Sequence, residues 1–384
     1  MWVNEALGGD WTVEGPRTEL EELKNKMRPC FVAPLVRLLK TENKVIHSPS
    51  VLPSRWVVRL NSSDVDIANL HWVQDEMLSI EDIGQIKKPL VWTLHDMYAF
   101  CGAEHYTTDY RWRDGYLRDN RPTHESGFDL NRWVWKRKFK RWKRPVHIIT
   151  PSKWLEYQTR KSALMRNWPV TTIPNPIDTD QWKPVDKNLA RDALNLPSGV
   201  PLLLFGAMGG STDPRKGFHY LLKALEYLQK DPRAKGLRLV VLGQREPRFR
   251  LNLGFPIHYT GHLRDDFSLR AVYSAVDVMS IPSLQDNLPN TGVEALACAT
   301  PVVAFHTCGL PDIVSHKQNG YLAKPFDTVE LAHGIGWVLD QRESGRLSRQ
   351  ARATAELRFA APVVAKQYIA VYEAVKESHS CNLS

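Results

Sequence analysis

The stretch Ile281-Pro282-Ser283-Leu284-Gln285-Asp286-Asn287-Leu288-Pro289-Asn290-Thr291-Gly292-Val293-Glu294-Ala295-Leu296-Ala297-Cys298 decides how this chain is read. An apolar run with Val276, Val278 and Met279 leads into it and predicts a strand ending at Pro282-Ser283. A turn rich in Asn, Pro and Gly follows, and an Ala- and Leu-rich helix is expected from Val293. Asp286 and Glu294 straddle this strand-to-helix turn. In an open parallel sheet, ligands sit outside the carboxyl ends of the strands, where the N–H groups of the next helix hold anions. A carboxylate in that place repels phosphate, but it accepts hydrogen bonds from hydroxyl groups. Two carboxylates so placed suit the two ends of a nucleotide-sugar.

Outward from this segment, strand and helix alternate. Runs 200–207, 237–243, 257–261, 276–281, 301–305 and 321–323 are short and largely apolar, with Asp277 a charge that weakens its strand. Helical periodicity fills 217–229, with Phe218, Leu221, Leu222, Leu225 and Leu228 on one face, and also 267–275 and 328–339; 348–377 reads as one or two more helices. That alternation predicts a doubly wound parallel sheet. The first half follows the same grammar less regularly, with strands at 66–70, 89–94, 146–150 and 170–173 and helices at 17–27, 79–86 and 153–161. Residues 105–130 mix charges, aromatics and turn formers without periodicity and read as a loop. The Pro- and Asn-bearing segment Ile173-Pro174-Asn175-Pro176-Ile177-Asp178 is the best domain boundary. It divides the chain into 1–173, 174–360 and a C-terminal helix with tail, 361–384, expected to pack back towards the first domain. The opening Gly8-Gly9-Asp10 is weak evidence for a Gly-rich turn, so either the first domain begins differently or it lacks its usual first strand.

The chain has 384 residues, 43% hydrophobic and 24% charged, as in an ordinary globular protein of about two domains. No apolar run approaches the roughly 18 residues that span a bilayer. Five scattered cysteines lack metal-site spacing and read as reduced thiols, which implies a cytoplasmic setting. The net charge of +9 has one source. Eight of the 51 basic residues lie between Arg132 and Arg144 with no acidic residue among them, so the remainder carries 43 against 42 acidic. Trp135, Phe139 and Trp142 share one helical face there. Either that stripe is buried and the cations are solvated, or the segment lies on an anionic membrane surface, where each cation contributes about 1 kcal/mol. Nucleic-acid binding is disfavoured, because no recognisable module accompanies the charges.

These residues resemble the retaining glycosyltransferases of family 4, which have the GT-B fold, two facing Rossmann-like domains with a cleft between them. The likeness runs from about Asp66 to Val371 and is most specific from Asp286 through Glu294 to Thr300-Pro301-Val302-Val303-Ala304, Gly309-Leu310-Pro311-Asp312-Ile313-Val314 and Asn319-Gly320-Tyr321-Leu322. Thr150-Pro151-Ser152-Lys153-Trp154 and Asp213-Pro214-Arg215-Lys216-Gly217 support it. Trp92-Thr93-Leu94-His95-Asp96-Met97 and Asn69-Leu70-His71-Trp72 are similar to the bacterial surface-polysaccharide, colanic-acid-type branch.

The resemblance implies that Asp286, where the family has Glu, contacts the transferred sugar and Glu294 the ribose. It implies that Lys216 holds the donor diphosphate. The family's accompanying Arg has Ala207 in its place, and Arg215 is the candidate substitute. Main-chain N–H groups around Leu288, Asn290 and Thr291 complete the expected donor site. His95, at the end of an apolar strand, joins Lys216 and Asp286 as a candidate catalytic residue. His71 ends the preceding strand and is given no direct role, and His105 lies in the irregular loop. The expected reaction moves a sugar from a nucleoside-diphosphate donor to a hydroxyl of a growing, lipid-linked glycan at the inner face of the membrane. No cofactor or metal is expected, since no Asp-x-Asp stands at a donor-site turn. The alternatives are a nucleotide-sugar epimerase and an inactive donor-binding remnant.

Overall fold

Short apolar runs become the buried strands of two separate sheets. The computed structural model describes residues 1–5, 12–206, 213–246, 253–263 and 265–381. Ala207 and Gly8-Gly9-Asp10, both singled out above, lie outside the described residues. The chain divides into one unit of Met1–Pro151, Leu155–Thr172 and Ala370–Ser384, and a second of Ser152–Trp154 and Ile173–Ile369.

In the first unit the strands are β1 (Leu39–Lys40), β2 (Ala68–His71), β3 (Leu90–Thr93), β4 (Ser126–Gly127), β5 (His147–Thr150) and β6 (Val170–Thr172). β1 and β4 form a small antiparallel ladder, while β2-β3-β5-β6 make a parallel sheet in chain order. Ala68 opposes Leu90 and His71 opposes Thr93, so the ends of β2 and β3 lie side by side. All four residues of β3 are buried, as in a parallel strand covered on both faces. The stretch 105–130 contains one turn of helix (Arg111–Asp114) and β4, and it is packed rather than loose: Tyr106, Trp112 and Tyr116 are buried. Arg111 lies inside it between Glu125 at 3.2 Å and Asp129 at 2.7 Å.

The second unit holds β7 (Leu202–Phe205), β8 (Arg238–Val241), β9 (Ile257–Tyr259), β10 (Val278–Ile281), β11 (Val302–Phe305) and β12 (Gly320–Ala323). Their spatial order is β12-β11-β10-β7-β8-β9, all parallel. The order therefore reverses between β7 and β10. Successive residues face opposite cores: Leu202 and Leu204 pack on one side of the sheet, Leu203 and Phe205 on the other. Asp277, expected to disturb its strand, sits just ahead of β10 and is compensated by Arg191 at 2.9 Å, Lys187 at 2.7 Å and the N–H of Leu202. The helix after β10 spans Asn290–Ala297 and so starts three residues earlier than its composition suggested, with Pro289 as N-cap. The chain end forms two helices, Arg346–Arg358 and Ala361–Cys381.

Candidate functional site

The reversal between β7 and β10 creates the crevice in which open α/β sheets place their ligands. Around it the second unit has a pocket lined by Phe205, Gly206, Lys216, Asp286 and Thr291, among others. Two glycines draw its loops together. Gly217 has φ +68°, and a Cβ there would stand 1.9 Å from the Pro282 carbonyl oxygen, so the turn before it can press onto the end of β10. Leu284 N–H donates to the Arg215 carbonyl at 2.7 Å and fastens that contact. Gly309 likewise leaves space for the Asn287 carbonyl, and its N–H donates to the Asp286 carbonyl at 3.1 Å.

This scaffold brings Lys216 onto Asp286. Nζ donates to Oδ2 at 2.7 Å, and Ser283 Oγ donates to the same oxygen at 3.3 Å. Arg215, its neighbour, turns elsewhere: its guanidinium donates to Asp213 Oδ2 at 2.6 Å, two residues back. Asp213 also caps that turn by accepting from Arg215 N–H at 3.0 Å. Thr291 reaches the pocket, whereas the Leu288 side chain is buried in the core and can offer a ligand only main-chain atoms. Asn290 Oδ1 accepts from Asn175 Nδ2 at 3.1 Å, which ties the segment after β6 to the start of the Asn290–Ala297 helix. That helix has no side-chain cap, so its first N–H groups keep their partial positive charge for an incoming anion.

Glu294 is one turn deeper on the same helix and does not line the pocket with Asp286. Its Oε2 accepts from Tyr273 O–H at 2.7 Å. Burial pushes the Glu294 carboxyl above the usual range, and the Tyr273 hydroxyl partly opposes that shift. Tyr273 and Ser283 had not been singled out in the sequence. Ser283 was legible in principle, as a hydroxyl three residues before Asp286; Tyr273 was not, because only the packing of two helices brings it to Glu294.

His95 belongs to the first unit, just past the end of β3. Its Nε2 stands 3.0 Å from His71 Nδ1, so the two rings share a proton-bearing contact. Burial lowers both, His71 to about 4, which leaves the pair neutral near pH 7. Behind it, His105 Nδ1 is 2.6 Å from Asp96 Oδ2 and His105 Nε2 is 2.8 Å from Ser48 Oγ. That is the atom order of a hydrolytic relay, but Ser48 and His105 are each 3% exposed, so the trio braces the wall instead of attacking a substrate.

Two sequence profiles cover most of these features. One, described as Glycosyl transferases group 1, matches residues 202–341, and the other, Glycosyltransferase Family 4, matches residues 15–181. Each half of the chain is thus similar to a glycosyltransferase family model. A D-inositol 3-phosphate glycosyltransferase of Saccharomonospora viridis is 32% identical over 202 residues, 49% of this chain and 46% of that protein. An MMP alpha-(1->4)-mannosyltransferase of Mycolicibacterium hassiacum is 31% identical over 176 residues, 44% of this chain and 42% of that protein. The chain spans about half the length of the curated relatives it matches. Among solved structures, sucrose-phosphate synthase of Thermosynechococcus elongatus aligns with TM-score 0.64 at 19% identity over 84% of this chain and 77% of its own. HepE of Anabaena, in complex with UDP and glucose, aligns with TM-score 0.61 at 18% identity over 94% and 86%. At these identities the likeness establishes the fold, which is GT-B.

The basic helix, Leu130–Arg141, is only partly solvated. Lys138 is wholly buried, with Nζ donating to the carbonyls of Tyr98, Cys101 (3.2 Å) and Gly102 (2.7 Å). Arg137 binds Glu81 and the carbonyls of Pro49 (2.8 Å) and Ser50 (2.9 Å). The aromatic stripe is split, since Trp135 and Trp142 are buried and Phe139 is exposed. Among the described residues, no helix is long and apolar enough to cross a membrane, and no cluster of His, Cys, Asp and Glu could hold a metal ion.

Proposed function

We propose that this chain transfers a sugar from a nucleoside-diphosphate-sugar to a hydroxyl group with retention of anomeric configuration. The observation that carries the reading is the Lys216–Asp286 pair at the strand-order reversal, facing the uncapped start of the Asn290–Ala297 helix. When the bond from the anomeric carbon to the diphosphate oxygen breaks, charge builds on the leaving diphosphate. Lys216 Nζ and the helix N–H groups neutralise that charge in place. Asp286, relieved of Lys216 as the diphosphate arrives, accepts hydrogen bonds from sugar hydroxyls. Glu294 takes the ribose hydroxyls. The departing phosphate oxygen accepts the acceptor's proton on the face it leaves, so no covalent enzyme intermediate is needed. His95, held neutral, positions the acceptor. HepE is seen with UDP and glucose, which makes UDP-glucose the first donor to test.

The finer reading follows the motifs around Asn69 and Trp92. We assign residues 1–173 to the acceptor side, 174–360 to the donor side and 361–384 to a helix returning to the first domain. That last assignment is supported by Asn69 Nδ2 donating to Tyr372 O–H at 2.8 Å and by Lys376 Nζ pairing with Asp66 at 3.0 Å. The acceptor is a growing surface polysaccharide on a lipid carrier, met at the inner face of the membrane. Lys136, Lys140 and Phe139 are among the exposed residues of the basic segment, outside the internal roles of Arg137 and Lys138. The test incubates purified protein with UDP-glucose and other nucleotide-sugars, with and without hydroxyl acceptors, and follows nucleoside diphosphate release and product anomers by NMR. Transfer with retention supports the reading. An altered sugar-nucleotide without acceptor indicates an epimerase, and donor binding without turnover an inactive remnant.

A further inference from the structure

The sheet of the first unit has a second pocket, at the opposite end from His71 and His95. It opens at the amino ends of β3, β5 and β6, beside Leu90, His147 and Pro169, and the C-terminal helix closes it with Val375 and His379. Its wall is aromatic, formed by Trp92, Trp142 and Trp168, and its rim is cationic, with Lys88, Arg141, Lys143 and Arg144. No acidic residue is among the described residues that line it. Arg141 has a loose partner in Glu81, 3.7 Å away, and Lys143 Nζ lies over the Phe139 ring at 4.7 Å.

One contact gives the rim a direction. Arg144 Nη2 is 2.5 Å from His379 Nδ1. A guanidinium can only donate, so Nδ1 accepts and the imidazole proton resides on Nε2. Arg144 and His379 Nε2–H are therefore both donors, next to Lys143. Four cations gathered over an aromatic floor repel one another, and an anion that accepts from several of them removes that repulsion.

We propose that this pocket binds a phosphate group carried on an apolar body. The cations and the His379 Nε2–H hold the phosphate oxygens, and the tryptophans cover the attached carbon. The source is either a soluble phosphate ester or a phospholipid headgroup, since both present the same group. The site does not depend on the donor reading, because it lies in the other unit and shares no residue with Lys216 or Asp286.

The three tryptophans report on occupancy. Full-length protein is titrated with inorganic phosphate, with vesicles of phosphatidylglycerol and phosphatidylcholine, and with phosphatidylcholine vesicles alone, following tryptophan fluorescence and calorimetric heat. The pocket pair R144Q/K143Q is compared with the charge-matched K235Q/R238Q, exposed cations of the second unit, and H379A is a third variant, with unfolding midpoints confirming that each folds. The expected result is saturable binding of phosphate, or of the anionic vesicles only, weakened about tenfold in R144Q/K143Q and more than in K235Q/R238Q. Response to phosphate marks a soluble ligand; response confined to phosphatidylglycerol marks a lipid. Equal losses in the two pairs, or no response to either anionic probe, overturns the proposal.

Discussion

Lys216 Nζ and Asp286 Oδ2 stand 2.7 Å apart, so the cation and the carboxylate assigned to opposite halves of one donor already form an ion pair. They are 70 residues apart in sequence and meet because Gly217 lets its turn lie against Pro282. On the proposed reading, a diphosphate entering the pocket would replace the carboxylate as the partner of Lys216 and free that carboxylate for hydroxyl groups. The pair thus keeps both charges compensated before the donor arrives.

Removing Lys216 should separate function from stability. K216A loses one charge-assisted bond to the diphosphate, about 1.5–3 kcal/mol, and donor affinity should fall roughly ten- to hundredfold. The folded state should lose only about 1 kcal/mol, since the pair is partly open to solvent. Donor calorimetry beside thermal unfolding checks this, and wild-type affinity in K216A would remove the lysine from the site.

Tyr273 is predicted to set the pH range over which Glu294 can hold the donor. Burial raises the Glu294 carboxyl and the Tyr273 hydroxyl lowers it again, so Y273F moves its titration to higher pH. Protonated Glu294 accepts fewer hydrogen bonds from ribose, so donor affinity should fall as pH drops through that titration. The acid limb of an affinity profile from pH 5 to 8 should lie at higher pH in Y273F than in the wild type. An unmoved limb would detach Glu294 from the donor.

The glycine at 217 is predicted to be indispensable for building the site. G217A places a side chain in a left-handed conformation, costing about 1–2 kcal/mol, and drives its Cβ into the Pro282 carbonyl. The unfolding midpoint should drop by several degrees, and donor binding should fall at temperatures where the variant is still folded. Unchanged stability and binding together would show that the two loops are not held by this approach.

Lys138 tests the basic helix. Three carbonyl acceptors around Nζ require the three donors of an ammonium group, while burial pulls its pKa down to about 7. Between about pH 7 and its ordinary value the unfolded chain holds a proton that the folded chain releases, so this group makes stability rise with pH in that window. K138M should destabilise by about 3 kcal/mol or more at pH 7 and flatten that rise. Denaturant titrations at pH 7 and pH 9 check both parts; a variant as stable as wild type would place Lys138 among ordinary surface cations.

The alternation of short apolar runs with amphipathic helices was enough to read the second sheet, because strands buried on both faces leave a continuous apolar signature. Asp286 and Lys216 were legible from their places after a strand and before a helix. Their ion pair was not, since it depends on the approach of Gly217 to Pro282. His71 and His95 each end a strand, yet their contact follows from a register that no local pattern specifies. Lys138 misled for a different reason: a cation in a basic run reads as solvated, and only the carbonyls of 98–102 turning inward show otherwise. The start of the Asn290–Ala297 helix was placed late because Asn and Gly in its first turn resemble loop residues.

The most direct test is nucleoside diphosphate release from a panel of nucleotide-sugars, measured by mass spectrometry for wild type, K216A and D286A. The account predicts that wild type consumes at least one donor in the presence of a hydroxyl acceptor, and that both variants lose this activity while remaining folded. Release at wild-type rates from both variants would contradict it.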